Sequence, residues 1–368
     1  MKIAHVVASL PPDIGGMGRV AFDEAVGSSQ HGDEVTVFTL SYFPHQYDDS
    51  SLPFRVVRAN PLIRSGIAGM VPGWRKQFDN FDIIHLHYPF YGGSEWVWSS
   101  GKKYVVTYHM DASPTIKRHR VIKNIYDRIL AKRILQKAKR VILVDERHYL
   151  SERKILFPDQ SIVIKNGVDI NTFKPTNVRR EDLGLDTSVG RTLFLFVGNL
   201  LPIKGLSKLL KAWKNVSNDK MHLAILGSGF HEHEFRAEAN ELGIVNITWL
   251  GACHDQNKMV QFYSASDAVI IPSISESFSL VAAEALACGK PVLASRLPGL
   301  LEKVIEGKTG FTFEPGNEKE IEKCLNAFMK LDQSKRESVG NNGVSLIREK
   351  FSMQQHMDIL NQLYKEVV

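Results

Sequence analysis

Nowhere in its 368 residues does this chain run to eighteen consecutive apolar residues, so no membrane-spanning helix is expected. The opening Met1-Lys-Ile-Ala-His-Val-Val-Ala-Ser-Leu10 is too short in apolar run, and too soon followed by Asp13, to be a signal peptide; it reads as a first strand. Cysteine is scarce. Cys253, Cys288 and Cys324 are odd in number and show no paired spacing, which argues against a disulfide framework and for reduced thiols in a cytoplasmic setting. An acid is missing where a nicotinamide-binding fold needs one. Gly16-x-Gly18-x-x-Ala21 nearly matches a dinucleotide fingerprint, but Pro11, Pro12 and Asp13 intervene where the tight turn should begin, and the second strand ends in Thr39-Leu-Ser41 with no carboxylate for a ribose. A hydride-transferring dehydrogenase is therefore disfavoured, and the Gly loop is better read as one that lets a ligand come close.

Metal ligands are also thin. His85 and His87 sit two apart on one strand face, which invites zinc, yet no third ligand follows at a convincing spacing and the His231-Glu-His233 run supplies none. No metal is expected.

What is present is a hydrophobic content of 43% against 23% charged, the balance of a soluble globular protein long enough for two domains. Two blocks of alternating strand and helix patterns are visible. The first has strands over Lys2 to Leu10, Glu34 to Thr39, Ile83 to His87, Val105 to Tyr108, Val141 to Val144 and Ile162 to Ile164. A polar stretch from Asn171 to Arg191 reads as a linker. The pattern restarts with Leu193 to Val197, His222 to Leu226, Ile247 to Leu250, Ala268 to Ile271 and Pro291 to Ala294. Strands separated by helices imply parallel sheets covered on both faces. The fold class expected is α/β, two facing Rossmann-like doubly wound domains. The first spans 1–172 and the second 173–352, with a C-terminal helix 353–368 free to pack back on the first. Ligands in such sheets bind at the carboxyl ends of the strands.

Net charge is +6, but residues 117–140 carry ten Lys or Arg against the single acid Asp127, a local +9 that leaves the rest of the chain at −3. Ile122, Ile125, Tyr126 and Ile129 fall at helical spacing there, so an amphipathic helix packed by that stripe is expected. Its charged face suits an anionic membrane surface, at about 1 kcal/mol per Lys or Arg near the lipid, or a site for an acidic substrate, or is simply a solvated helix face. The apolar and basic mixture of Pro61 to Lys76 lies in the same domain. No nucleic-acid motif accompanies the charge, so nucleic acid is not an expected partner.

The segment that carries most chemistry is Glu276-Ser-Phe-Ser-Leu-Val-Ala-Ala-Glu284, followed by Ala-Leu-Ala-Cys-Gly-Lys-Pro-Val292. Glu276 follows a buried strand in a Ser-rich turn, and a helix is expected to begin near Ser277 or Phe278. That leaves the backbone N–H groups of Ser279, Leu280 and Val281 free for phosphate oxygens. Glu284 falls roughly 12 Å further along at 1.5 Å of rise per residue, the span from the sugar of a nucleotide sugar to its ribose. A helix that begins with Glu for dipole reasons would share half of this spacing. In Leu195-Phe-Val-Gly-Asn-Leu-Leu-Pro-Ile-Lys-Gly-Leu206, Gly198 opens the backbone and Lys204 supplies a positive charge before a helix, as a diphosphate clamp or as a solvated connection. His109, just past a strand in Val-Val-Thr-Tyr-His-Met-Asp111, is placed to enter a cleft. The aromatic run Tyr88 to Trp98 suits sugar stacking or core packing equally.

Taken together these residues resemble the retaining glycosyltransferases of family 4, which have the two-domain GT-B fold. The resemblance covers nearly the whole chain. It rests on Gly15-Gly16, Thr107-Tyr-His109, Lys165-Asn-Gly-Val-Asp169 with Phe173, Val197-Gly-Asn-Leu200 with Lys204-Gly205, and Glu276-x7-Glu284 with Ala-Cys-Gly-Lys-Pro-Val. It implies transfer from a UDP- or GDP-linked sugar to a glycan, glycolipid or other hydroxyl acceptor with retention, and no cofactor besides that donor substrate. The second domain would hold the donor and the first the acceptor. By position, His109 would contact the donor sugar and Glu276 its hydroxyls. Lys204 and the amides of Ser279 to Val281 would neutralise the diphosphate, Glu284 would hold the ribose, Gly16 would lie against the phosphates, and Cys253 would sit near the base. One departure stands out: Asn199 occupies the position after the Val-Gly turn where the family usually has Arg. The alternative it leaves open is a non-catalytic, glycosyltransferase-like partner subunit.

Overall fold

The computed structural model describes residues 1–12, 15–42, 47–65, 68–110, 125–145, 160–185 and 190–368. The chain divides into two compact units, Met1–Asn166 with Gln354–Val368, and Gly167–Met353. The boundary falls after Asn166, earlier than the 172 expected from sequence.

The first unit is built on β1 (Lys2–Val6), β2 (Glu34–Leu40) and β3 (Arg55–Ala59), a two-residue hairpin pair β4 (Arg64–Ser65) and β5 (Ala68–Gly69), then β6 (Ile83–Tyr88), β7 (Tyr104–Tyr108), β8 (Arg140–Leu143) and β9 (Ser161–Val163). All but the hairpin join one parallel sheet in the order β3-β2-β1-β6-β7-β8-β9. Every residue of β6 is buried, as a strand covered on both faces must be. Strand order reverses between β1 and β6, where His5 pairs in register with His85. The helix Gly16–Gln30 packs through Val20, Ala21 and Ala25, yet the same buried face carries Glu24. Across from it, the C-terminal helix Met353–Val367 buries His356, Met357, Leu360 and Tyr364.

The second unit contains β10 (Thr192–Val197), β11 (Met221–Leu226), β12 (Ile247–Gly251), β13 (Ala268–Ile271), β14 (Val292–Ser295) and β15 (Gly310–Phe313). They form a six-stranded parallel sheet in the order β12-β11-β10-β13-β14-β15. Phe194, Phe196, Trp213, Leu223, Ile225 and Phe328 belong to its core. The helix Leu206–Val216 contributes Leu206, Leu209, Leu210 and Trp213 from one apolar face.

Three expectations need correction. β3 and β15 are edge strands that the sequence pattern did not reveal. The stretch read as a linker is partly pinned to the second unit: Arg180 donates to Ala265 O, Arg191 O and Asp267 Oδ2. Residues 117–124 of the basic segment, Ile122 among them, lie outside the described residues. In the rest, Ile125 and Ile129 are 55% and 50% exposed, so they do not pack the segment. Ala131, Ile134 and Leu135 do.

Candidate active site

In the second sheet strand order reverses between β10 and β13, and the loops leaving their carboxyl ends run side by side. Ile274 N donates to Ile203 O at 2.8 Å. Gly205, at φ 72°, presses so close that a Cβ there would lie 1.9 Å from Pro272 O. Only glycine fits both demands. This contact sets Lys204 Nζ 2.6 Å from Glu276 Oε1, and Ser273 Oγ donates to the same oxygen at 2.9 Å. The two side chains keep 29% and 11% exposure, enough for a ligand to reach them.

Behind Glu276 the loop has a rigid floor. Gly299, in the short helix Pro298–Leu301, packs where a Cβ would be 2.3 Å from Ser277 O. The ammonium of buried Lys303 donates to Gly299 O at 2.8 Å and lies 3.8 Å from the centroid of Phe278. Cation and aromatic face attract most strongly when desolvated, as here.

The helix of this motif starts later than expected, at Leu280, and runs to Ala287. Ser279 is the reason: it occupies the left-handed region at φ 64°, the one described non-glycine residue with positive φ, and breaks helical continuity before Leu280. Its Oγ is buried with no hydrogen-bond partner. Backbone strain at a non-glycine residue costs on the order of 1–3 kcal/mol and tends to gather at ligand sites. The first N–H groups of this helix have no carbonyl of their own turn to bond and no side-chain cap, so amides and positive dipole end are left for a ligand at the end of the loop that carries Glu276. Because Glu276 lies on the loop, its separation from Glu284 is not a helical rise. Glu284 is the single charged residue of the helix, and its Oε2 accepts from Tyr263 Oη at 2.8 Å.

Asn199 follows β10, its carbonyl accepts from Leu201 N at 2.8 Å, and its side chain makes no hydrogen bond among the described residues. Cys253 follows β12, away from the two paired loops. Burial pushes its thiol pKa up, so it is a thiol rather than a thiolate near neutrality.

The first unit presents its own set. His109 follows β7, its N–H bonded to Tyr88 O at 2.9 Å, and burial pushes its imidazole down to about 3, so it is neutral. Asp111 lies outside the described residues. Gly16 has open space where a Cβ would be, whereas at Gly18 a Cβ would be 2.4 Å from Ser9 O. Gly18 is thus a packing glycine and Gly16 the one past which a ligand can approach.

Two groups escaped the sequence reading. His5 and Glu24 join His85 and His87, with one ligand-type atom from each lying within 4.8 Å of the others. The signal was available in part: an acid on the apolar face of a helix, at Glu24, is unusual in a core.

A carboxylate and an ammonium thus meet at a strand-order reversal, the place where doubly wound sheets bind their ligands, beside the start of a helix. Residues 14–172 match the description Glycosyltransferase Family 4 and residues 181–345 match Glycosyl transferases group 1. The chain belongs to this family. It is 30% identical over 340 residues to a D-inositol 3-phosphate glycosyltransferase of Frankia alni, covering 84% of this chain and 79% of that one. It is 29% identical over 368 residues to the D-rhamnosyltransferase WbpZ of Pseudomonas aeruginosa, covering 96% and 92%. Among solved structures, sucrose-phosphate synthase from Thermosynechococcus elongatus superposes with a TM-score of 0.84 at 24% identity over 99% of this chain and 98% of that one. HepE of Anabaena, in complex with UDP and glucose, gives 0.80 at 19% identity over 100% of both. The fold is GT-B.

Proposed function

We propose that this chain is a retaining glycosyltransferase that moves a hexosyl group from a UDP- or GDP-linked sugar to a hydroxyl of a glycan or lipid-linked acceptor, in cell-surface polysaccharide or glycoconjugate synthesis. The observation that carries it is the Lys204–Glu276 pair at the strand-order reversal, next to the open amides at Leu280 and Val281. When the bond from the anomeric carbon to phosphate breaks, its electron pair goes to the diphosphate. Lys204 and the amides meet that growing charge in fixed positions. The acceptor oxygen bonds to the same face and its proton passes to a leaving phosphate oxygen, so retention needs neither a separate base nor a covalent carboxylate intermediate. Glu276 takes the sugar hydroxyls, Glu284 the ribose, and neutral His109 a sugar oxygen. The likeness to WbpZ, a D-rhamnosyltransferase, supports a role in bacterial glycan assembly.

Among the described residues no helix is long and apolar enough to cross a membrane. Leu62, Ile63, Ile125 and Ile129 are at least half exposed in the unit that carries the basic segment. This supports work at the inner membrane face on a lipid-linked acceptor. The deciding experiment is a donor screen, melting the protein against UDP, GDP and their sugars and then assaying transfer with the stabilising donor. Binding raises the melting temperature by mass action. Stabilisation without any turnover would instead favour a non-catalytic partner subunit, the reading that Asn199 in place of Arg motivates.

A further inference from the structure

The first unit holds a group of titratable side chains that the donor site does not use. His5 on β1, His85 and His87 on β6, Glu24 on the helix Gly16–Gln30 and His356 on the C-terminal helix are all buried, none more than 4% exposed. Such a group is either a metal shell or a hydrogen-bonded network, and ring geometry separates the two. His5 Nδ1 and His87 Nε2 face each other at 3.0 Å, with ring centroids 5.4 Å apart and planes 23° from parallel. The N···N gap plus the two ring radii accounts for that centroid distance, so the rings lie end to end rather than face to face. His87 Nδ1 and His109 Nε2 repeat the arrangement at 3.0 Å, 5.2 Å and 20°. A zinc ion bonded at about 2.0–2.1 Å to two such nitrogens would sit off the line that joins them, and both rings would have to turn to aim at it. The lone pairs are aimed along a chain, not at a common centre.

We propose that His5, His87 and His109 form a coplanar imidazole chain that fixes which nitrogen His109 presents to its ligand, making His87 and His5 positioning residues. This rests on the reading of His109 as a donor-sugar contact. Each N···N contact holds one proton. Three neutral imidazoles carry three protons, two of which occupy the two contacts, and the third must sit at one end. In the first arrangement His5 Nδ1–H donates to His87 Nε2, His87 Nδ1–H donates to His109 Nε2, and His109 Nδ1–H points outward. In the reverse arrangement the spare proton sits on His5 Nε2, which is buried with no partner. A buried N–H without an acceptor is rarer and costlier than a bare acceptor, so the first arrangement is selected.

Glu24 reinforces the chain from the side. Its Oε2 lies 3.7 Å from His87 Nε2 and 4.0 Å from His5 Nδ1, placing its carboxyl beside the inner contact. Glu24 Oε1 is held by His356 Nε2 at 3.1 Å, and His356 Nδ1 donates to Lys165 O at 2.8 Å. His85, 3.3 Å from Glu24 Oε2, is tied off by Thr107 Oγ1 at 2.7 Å and Tyr364 Oη at 2.6 Å, and stands outside the chain. His109 therefore reaches its ligand as a neutral Nδ1–H donor, suited to a hydroxyl or ring oxygen and unsuited to accepting a hydroxyl proton.

Side-chain nitrogen spectra of the ligand-free, full-length protein labelled with [15N]histidine test this directly, because they read each tautomer without any turnover. Expected is a single Nδ1–H tautomer for His109, a mixture in His87→Leu, and recovery of the single form in His87→Asn, whose amide N–H replaces the Nδ1 donor. Transfer should follow, with kcat/KM about tenfold down in His87→Leu and largely restored in His87→Asn. An Nε2–H tautomer for His109 in the parent protein would overturn the chain, as would indifference of His109 to His87→Leu or one zinc per chain in metal analysis of the purified protein. If His87→Leu does not fold, the parent spectrum alone still decides. A parent that transfers no sugar while His109 responds as described would sink the donor-site reading and leave the chain standing.

Discussion

Lys204 Nζ and Glu276 Oε1 lie 2.6 Å apart on loops that leave β10 and β13, neighbouring strands of one sheet. The pairing means that the ammonium assigned to the diphosphate is already oriented by the carboxylate assigned to the sugar. Preorganisation of this kind is where transition-state stabilisation resides. Lys204→Met is expected to lower kcat by about 10²–10³-fold, the usual scale for removing one group that meets developing charge. Glu276→Gln should lower kcat too, and should change the ranking of donor sugars. Steady-state kinetics with two donors that share a nucleotide check both; an unchanged kcat in Lys204→Met defeats the assignment.

Glu284 sits one helical turn and more beyond the loop, and Tyr263 Oη fixes it at 2.8 Å. If Glu284 holds the ribose, its loss acts on binding more than on chemistry. Glu284→Gln is expected to weaken UDP or GDP binding about tenfold, near 1.4 kcal/mol for one charge-assisted hydrogen bond. Tyr263→Phe should have a smaller effect in the same direction. Calorimetric titration with the free nucleotide separates this from Glu276→Gln, which should leave nucleotide affinity nearly as it was.

Both sheets and the E-x7-E loop were legible in the sequence because buried parallel strands read as apolar runs, as in Leu193 to Val197 and Ala268 to Ile271. β3, Arg55-Val-Val-Arg-Ala59, is half-buried at a sheet edge and bracketed by charge, so it carried no such signal. β15 is four residues opening on glycine. The helix start slipped to Leu280 because nothing in Ser277-Phe-Ser279 announces a left-handed serine. The imidazole chain was hidden for a different reason: His5, His87 and His109 come from three separate strands or strand ends that only the sheet register brings together, while Glu24 and His356 arrive on helices.

Burial of neutral imidazoles makes a pH prediction whose sign is fixed. Burial pushes His5 and His109 down to about 3 from 6.5, and burial with neighbouring histidines pushes His85 and His87 well below 6.5 too. A depressed folded-state value means the stability is present above 6.5, where the unfolded chain is also neutral, and is lost as pH falls toward 3. Each group contributes a slope approaching about 1.4 kcal/mol per pH unit well below the unfolded value. His356 runs the other way: burial opposes its charge, but the hydrogen bond and charge of Glu24 leave it raised, so its contribution is present in acid and lost in alkali. Glu24, whose carboxyl is pushed up by burial, runs with His356, so its contribution is also lost as pH rises. Four against two, the net is acid lability. The melting temperature should fall steeply between about pH 7 and about pH 5. A flat profile over that interval contradicts neutral burial.

Ser279 offers the clearest conflict between stability and function. At φ 64° and ψ 85° it holds a conformation that glycine adopts freely, and its Oγ is buried without a partner. Relief of left-handed strain is worth about 1–2 kcal/mol. Glycine returns roughly half of that through a more flexible unfolded chain. Ser279→Gly should therefore stabilise the protein by about 0.5–1 kcal/mol, a rise of a few degrees in melting temperature. Ser279→Val, β-branched at positive φ, should destabilise it by about 2 kcal/mol or more. If the serine is retained because its hydroxyl meets a donor phosphate, the stabler glycine variant should bind the nucleotide sugar more weakly while the fold improves. Melting and donor titration on the same samples decide it. A glycine variant that melts lower would show that the serine hydroxyl or its backbone is stabilised by something other than a bound donor.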